Sequence, residues 1–318
     1  DEALGRDPLV LIAGGHNAHG SETPLDLAAL EKALETIGPT VTGIAIAALF
    51  AVRNPAHEIV ARDLVRKMTG LPVTVSHELS SKLGGPKRAL TTLLNARLVG
   101  LIGRLIAATQ GFLKEVGITA PLMVVRGDGA LVSAAFAAER PIETILSGPA
   151  ASLVGARFLT GLDNAFVSDI GGTTTDIAIL DKGQPRIDEN GATVGGFNTM
   201  VEAVAMRTHG LGGDSEVALE EGGLEPKLIL GPRRILPLAL AAAAHPSVLV
   251  VLEKQAKSDV LDRLEGRFAF RTGLDDRFAA GLSASEQALY DRLKQEPTPL
   301  SGLITAASQM TSLARLVT

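Results

Sequence analysis

The sequence predicts an α/β fold: a mainly parallel sheet with helices on its faces, then antiparallel hairpins, then a small helical region. Three observations point to it. Strand-like and helix-like segments alternate over residues 9–126, the pattern of a parallel sheet. Over residues 164–189, strand-like runs are joined by turns too short for a crossover, so they must pair antiparallel. Of 318 residues, 46% are hydrophobic and 20% charged, enough apolar surface for a packed core.

The elements follow in order. Pro8–Ala13 reads as a strand. Leu25–Gly38 reads as a helix, with Asp26 as a start signal and Gly38 as a stop. Val41–Leu49 is a second strand, His57–Gly70 a second helix and Leu71–Ser76 a third strand. Arg88 to about Val116 is a long amphipathic helix, and Pro121–Arg126 a fourth strand. Asn164–Ile170, Thr173–Leu180 and Gln184–Glu189 are strands with tight Gly-containing turns. Ile235–Leu252 is a short helix and then a buried strand. Charged helical segments follow, beginning with Leu252–Gly266. The expected domains are an α/β lobe at 1–140, a second lobe at 141–252 and a helical module at 253–318.

Composition excludes some chemistry. A net charge of −5 argues against a general nucleic-acid surface. With 0 Cys there is no disulfide or thiolate-zinc site, which fits a cytoplasmic protein. With 3% aromatics, a stacking platform for bases or sugars is not expected. Pro237, His245 and Pro246 divide the most apolar run below membrane-spanning length, so no membrane partner is expected.

The sharpest chemical feature is DIGGTTTDIAIL, Asp169–Leu180. Gly171 and Gly172 leave room for a phosphate against backbone amides, and Thr173, Thr174 and Thr175 add hydroxyls. Asp169 is placed to hold a hydrated Mg2+ and Asp176 to orient water or metal. In THGLGGDSEV, Gly212, Gly213, Asp214 and Ser215 suit a loop beside a nucleoside that then caps a helix. Ser147 is expected to cap a helix in Ile145–Leu159, whose small residues suit either close helix packing or a direct ligand contact. Arg233 and Arg234 suit either a phosphate or a surface pair. His16 and His19 lie in the loop GGHNAHG, His57 and Glu58 open a helix, and His77 follows a strand. Loops of this kind build sites, so these histidines are candidates for acid–base work or for a divalent metal, with loop hydrogen bonding as the plain alternative.

These motifs, in order, resemble the hydantoinase A and 5-oxoprolinase family. They are GGHNAHG with Pro24–Asp26, RNPAHE (Arg53–Glu58), SHEL (Ser76–Leu79), KRALTTLLNARL, RGDGALVS (Arg126–Ser133), RPIETILSGPAASLVGA (Arg140–Ala156), DIGGTTTDIAIL and GLGGDS (Gly210–Ser215). The resemblance implies an actin-like ATPase, or ribonuclease H-like, fold. It implies ATP and Mg2+ as cofactors and an enzyme that opens a cyclic amide such as a hydantoin or 5-oxoproline, or carboxylates a ketone. The implied step is phosphorylation of a carbonyl oxygen. On that reading Asp169 positions Mg2+, Gly171, Gly172, Thr173 and Thr174 grip phosphates, and Gly212, Gly213 and Asp214 lie beside adenosine. It further implies a hydantoinase B-type partner and an oligomeric assembly. Relatives carry an earlier glycine–threonine hairpin, so the chain reads as a fragment lacking it. Where many relatives read GAGGGS, this chain reads GLGGDS, which adds the charge of Asp214. Two other readings stand beside the enzyme: a non-catalytic nucleotide-binding or assembly module, and a small-molecule kinase of the same superfold.

Overall fold

The computed structural model describes residues 2–220, 227–259, 262–273 and 276–317. The chain divides into two compact units. One comprises the chain up to Ile170 with Thr175–His209, the other Gly171–Thr174 with Gly210 onward.

In the first unit, α1 (Leu27–Ile37) starts where the Asp26 side chain accepts from the Ala29 amide at 2.9 Å. β1 (Ile44–Ile46) pairs in parallel with β2 (Val73–Val75), with α2 (Ala56–Thr69) between them in sequence. Leu34, Val65, Val73 and Val75 form the core beneath. A short helix α3 (Ser76–Leu79) leads to α4 (Gly85–Glu115), whose 31 residues span about 46 Å at ~1.5 Å per residue. By length and composition α4 is apolar enough to cross a membrane. Its first half is instead pinned in this unit. Arg88, Thr91, Thr92 and Asn95 are buried, and Asn95 donates to Thr74 Oγ1 and the Glu139 carbonyl and accepts from the Ile142 amide.

β3 (Met123–Val125) pairs antiparallel with β4 (Leu131–Ser133), and α5 (Ala134–Glu139) follows. Among the described residues parallel pairing is therefore confined to β1 and β2, where the sequence predicts a larger parallel sheet. The reason is local. Asp128 and Gly129 make a tight turn, with Gly129 at φ 91°, that folds residues 123–125 back on 131–133. Pro8–Ala13 forms no strand, and Leu9 and Leu11 are exposed. α6 (Ser147–Thr160) begins after Leu146, which holds φ 61°; Ser147 is already helical and does not cap.

β5 (Ala165–Ile170), β6 (Thr175–Asp181) and β7 (Gln184–Pro185) pair antiparallel, as expected. Two small antiparallel pairs accompany them: β8 (Ile187–Asp188) with β11 (Ala203–Val204), and β9 (Thr193–Val194) with β10 (Phe197–Asn198). β12 (Met206–His209) joins the other edge of β6, giving the order β12–β6–β5. Ala150 and Leu153 of α6 pack on Ala178, Leu180 and Val204.

In the second unit, β13 (Ser215–Glu220) and β14 (Lys227–Arg234) form an antiparallel pair. α7 (Leu238–Ala244) and α8 (Ser247–Gln255) follow. The valine-rich run after Pro246 is thus a helix, not the buried strand its β-branched residues predict. Proline is well placed at a helix start, and the propensity difference of valine is small. The predicted helix Leu252–Gly266 is helical only to Gln255, and residues 260–261 lie outside the described residues. β15 (Phe268–Ala269) pairs with β16 (Thr298–Pro299). α9 (Ala284–Arg292), α10 (Leu300–Leu303) and α11 (Ala307–Val317) close on a core of Leu289, Leu293, Leu300, Leu303 and Leu313.

Candidate functional site

The hairpin β5–β6 turns over Gly171–Thr174. The Gly171 amide is consumed by the turn, donating to the Thr174 carbonyl at 2.9 Å. Among the described residues no protein acceptor takes the amides of Gly172, Thr173 or Thr174. Gly171, Gly172 and Thr173 are exposed, Thr174 is half-buried, and Thr175 is buried at the start of β6. Neither Gly171 nor Gly172 has a positive φ, and a Cβ on Gly172 would meet no atom closer than 4.0 Å. The fold itself therefore does not demand glycine at 172. Its absent side chain leaves the backbone bare at this residue, beside amides for which no protein acceptor is present among the described residues.

The glycine-rich loop packs directly on this turn. Gly213 N donates to the Gly171 carbonyl and Asp214 N to the Gly172 carbonyl, each at 3.0 Å. Ser215 Oγ accepts from the Gly212 amide at 2.9 Å and bonds the Thr173 carbonyl at 3.4 Å. A Cβ on Gly212 would collide with the backbone of Gly172 and Thr173, so this position admits only glycine. The loop ends in strand β13, not in a helix, so Asp214 and Ser215 cap no helix. Asp214 instead forms an ion pair with Arg234, and its Oδ1 is buried without a hydrogen bond. Arg233 reaches Glu216 at 3.7 Å. The extra charge of Asp214 is thus held by protein.

Asp169 and Asp176 are register partners across β5 and β6. Ser152 Oγ donates to Asp169 Oδ2 at 2.6 Å, and Thr208 Oγ1 donates to Asp176 Oδ1 at 2.7 Å. Both aspartates line one small depression with Ser152 and Met206. Facing carboxylates repel, and a hydrated divalent cation removes that repulsion. Within the first unit, the aspartate pair is a donor set that fits a hydrated Mg2+. Within the second, the three amides without a protein acceptor fit a phosphate.

The candidate histidines separate. His16 is buried, with its ring centroid 4.6 Å from that of His57, whereas His19 is exposed. His16, Glu22 and His57 bring ligand atoms within 4.8 Å of one another, a plausible cation cage by composition. The hydrogen bonds fill it differently. The Gly15 amide donates to His57 Nδ1 at 2.8 Å, and the Asn54 amide faces His16 Nε2 at 2.9 Å. Both lone pairs a metal needs are occupied, and His57 Nε2–H is left to donate to Glu22 at 2.9 Å. That hydrogen bond holds the Glu22 carboxyl below its ordinary range. The cluster is a clasp for the loop that runs from Gly14 to Glu22.

Sequence reasoning missed how the next motifs combine. Glu58 is fully buried and joins His77, not its neighbour His57. It accepts from Ala48 N at 2.6 Å, Ser76 Oγ at 2.5 Å, His77 N at 3.0 Å and His77 Nδ1 at 2.7 Å. Arg88, also buried, donates to Ser76 Oγ at 2.9 Å and to the Ala48 carbonyl at 2.7 Å. The signal lay in RNPAHE, SHEL and KRALTTLLNARL, each of which contributes one member.

Comparison with known proteins agrees with these motifs. A family model described as Hydantoinase/oxoprolinase matches residues 88–233, and one described as Hydantoinase/oxoprolinase N-terminal region matches residues 1–69. The alpha subunit of caprolactamase from Pseudomonas jessenii is 31% identical over 230 residues, which is 70% of this chain and 32% of that protein. The gamma subunit of acetophenone carboxylase from Aromatoleum aromaticum is 28% identical over 206 residues, 60% of this chain and 27% of that protein. The crystal structure of the ATP-dependent caprolactamase from Pseudomonas jessenii superposes with a TM-score of 0.62 at 25% identity, covering 96% of this chain and 45% of that one. The chain spans about a third of the length of these curated relatives. The chain belongs to the hydantoinase/oxoprolinase family.

Proposed function

We propose that this chain is the ATP-binding part of an ATP-dependent enzyme that opens cyclic amides of the hydantoin or 5-oxoproline type, built on the actin-like ATPase fold. The observation that carries the reading is the turn 171–174, where among the described residues three amides have no protein acceptor and Gly172 carries no side chain over them. In this reading Gly172, Thr173 and Thr174 hold phosphate oxygens. Asp169, with Asp176 opposite, holds Mg2+, which neutralises phosphate charge when bound. Gly212, Gly213, Asp214 and Ser215 back the turn, and the adenosine lies along their loop. Phosphorylation converts a poorly electrophilic amide carbonyl into one with a leaving group. A hydantoinase B-type partner supplies the rest of the reaction.

A ketone carboxylase is the second reading, supported by the similarity to a subunit of acetophenone carboxylase. The experiment that separates them is a product assay on the complete protein with its partner, with Mg-ATP. Ring-opened acid from hydantoin, 5-oxoproline or ε-caprolactam supports the amide reading. Bicarbonate-derived carboxylate on acetone or acetophenone, with no ring opening, overturns it.

A further inference from the structure

The first unit contains a cleft of about 470 Å3 that the nucleotide motifs do not line. Its wall includes His77, Phe136, Arg126, Asp128, Arg140 and Glu143. His77 Nδ1–H donates to buried Glu58 at 2.7 Å, which fixes the tautomer and leaves the lone pair on Nε2. Among the described residues Nε2 has no hydrogen-bond partner, and it is the ring nitrogen left to the cleft. Glu58 itself is fully committed, with four donors on its two oxygens. Arg88 balances its charge through the Ser76 hydroxyl. A buried ion-pair network is ordinarily weak evidence for stability. This one ends in a single oriented, unpartnered nitrogen on a cleft wall, the arrangement a proton-transfer group requires.

Two arginines on the cleft wall are paired with carboxylates. Arg126 pairs with Asp128 and reaches Glu143 at 3.5 Å. Arg140 lies 3.9 Å from Glu143, with its guanidinium 5.0 Å over the Phe136 ring. Burial is the main cause that pushes the Glu143 carboxyl above its ordinary range.

We propose that this cleft binds the cyclic amide, with His77 Nε2 as a catalytic proton acceptor and Glu58 as its positioning residue; the inference rests on the functional reading above. The amide N–H bond breaks and its proton moves to Nε2. The electron pair stays on nitrogen and spreads to the carbonyl oxygen, which becomes the better nucleophile, its charge balanced by the imidazolium formed in the same step. The imidazolium returns the same proton when the product nitrogen leaves.

The test uses the complete protein with its partner subunit. His77→Ala and His77→Gln are compared with wild type for Mg-ADP affinity and for ATP-dependent opening of hydantoin, 5-oxoproline and ε-caprolactam. The expected result is unchanged ADP affinity with turnover lower by about 10²-fold or more. Added imidazole should partly restore His77→Ala but not His77→Gln. Wild-type turnover in either folded variant overturns the assignment, as does a parallel loss of ADP affinity without imidazole rescue. If wild type opens none of the three amides, the functional reading fails separately. The cleft is then read by diethyl pyrocarbonate acylation of His77, mapped by mass spectrometry. Protection by any of the amides supports the cleft; equal rates with and without all three overturn it.

Discussion

Asp169 and Asp176 stand opposite each other across β5 and β6, each held by one hydroxyl, from Ser152 and Thr208 respectively. Two carboxylates in register cost stability in the absence of a cation. Asp169→Asn is therefore expected to melt at or slightly above the wild-type temperature without Mg2+. ATP turnover by the complete protein should fall by about 10²-fold or more. Unchanged turnover in the folded variant removes Asp169 from the reaction.

Glycines 172 and 212 look equivalent in the sequence and differ in the structure. Gly172→Ala meets open space at an ordinary φ, so it should leave stability unchanged or raise it by about 0.4–1 kcal/mol through the unfolded chain. Gly212→Ala drives a methyl into the backbone of Gly172 and Thr173 and should cost about 1–3 kcal/mol. Urea unfolding of the two variants checks the order, and equal stabilities contradict it.

Asn95 ties α4 to β2 and to the segments around Glu139 and Ile142 through three hydrogen bonds, fully buried. Asn95→Ala leaves the Ile142 amide and the Glu139 carbonyl without their side-chain partner. A loss of about 2–4 kcal/mol is expected in urea unfolding. A loss under about 1 kcal/mol means that water or a neighbour satisfies both groups.

Asp128 and Glu143 should titrate with opposite effects on stability. The hydrogen bond with Arg126 is the main cause holding the Asp128 carboxyl below its ordinary value of 3.8. Its contribution is present above that value and is lost as pH falls through the lower folded pKa. Burial raises Glu143 above 4.5, so its contribution is present below that value and is lost as pH rises through the higher folded pKa. Asp128→Asn should flatten the acid limb of the stability curve. Glu143→Gln should gain on wild type as pH rises above about 4.5. Denaturant melts across that range check both signs.

The hairpin was legible because two glycines between strand-like runs leave only one way to turn. The parallel sheet was over-read because Pro121–Arg126 looks like a sheet strand until the turn at Asp128–Gly129 is weighed. Ile235–Leu252 failed because periodicity cannot tell a short apolar helix from a buried strand. At the site, the residues of the glycine-rich loop were legible and their bonds were not. The partner of Asp214 is Arg234, across the β13–β14 pair, and nothing local in the sequence couples them. Glu58 was legible only as a neighbour of His57, because adjacent residues on a helix face different surroundings and a linear reading keeps them together.

In the proposed function the turn at Gly171–Thr174 receives nucleotide phosphate. Isothermal titration of Mg-ADP into the complete protein, wild type against Gly172→Ala, tests it most directly. Wild type should bind saturably, and a Gly172→Ala variant that melts like wild type should bind at least about tenfold more weakly, ~1.4 kcal/mol. No binding by wild type, or equal affinity in both, would contradict it.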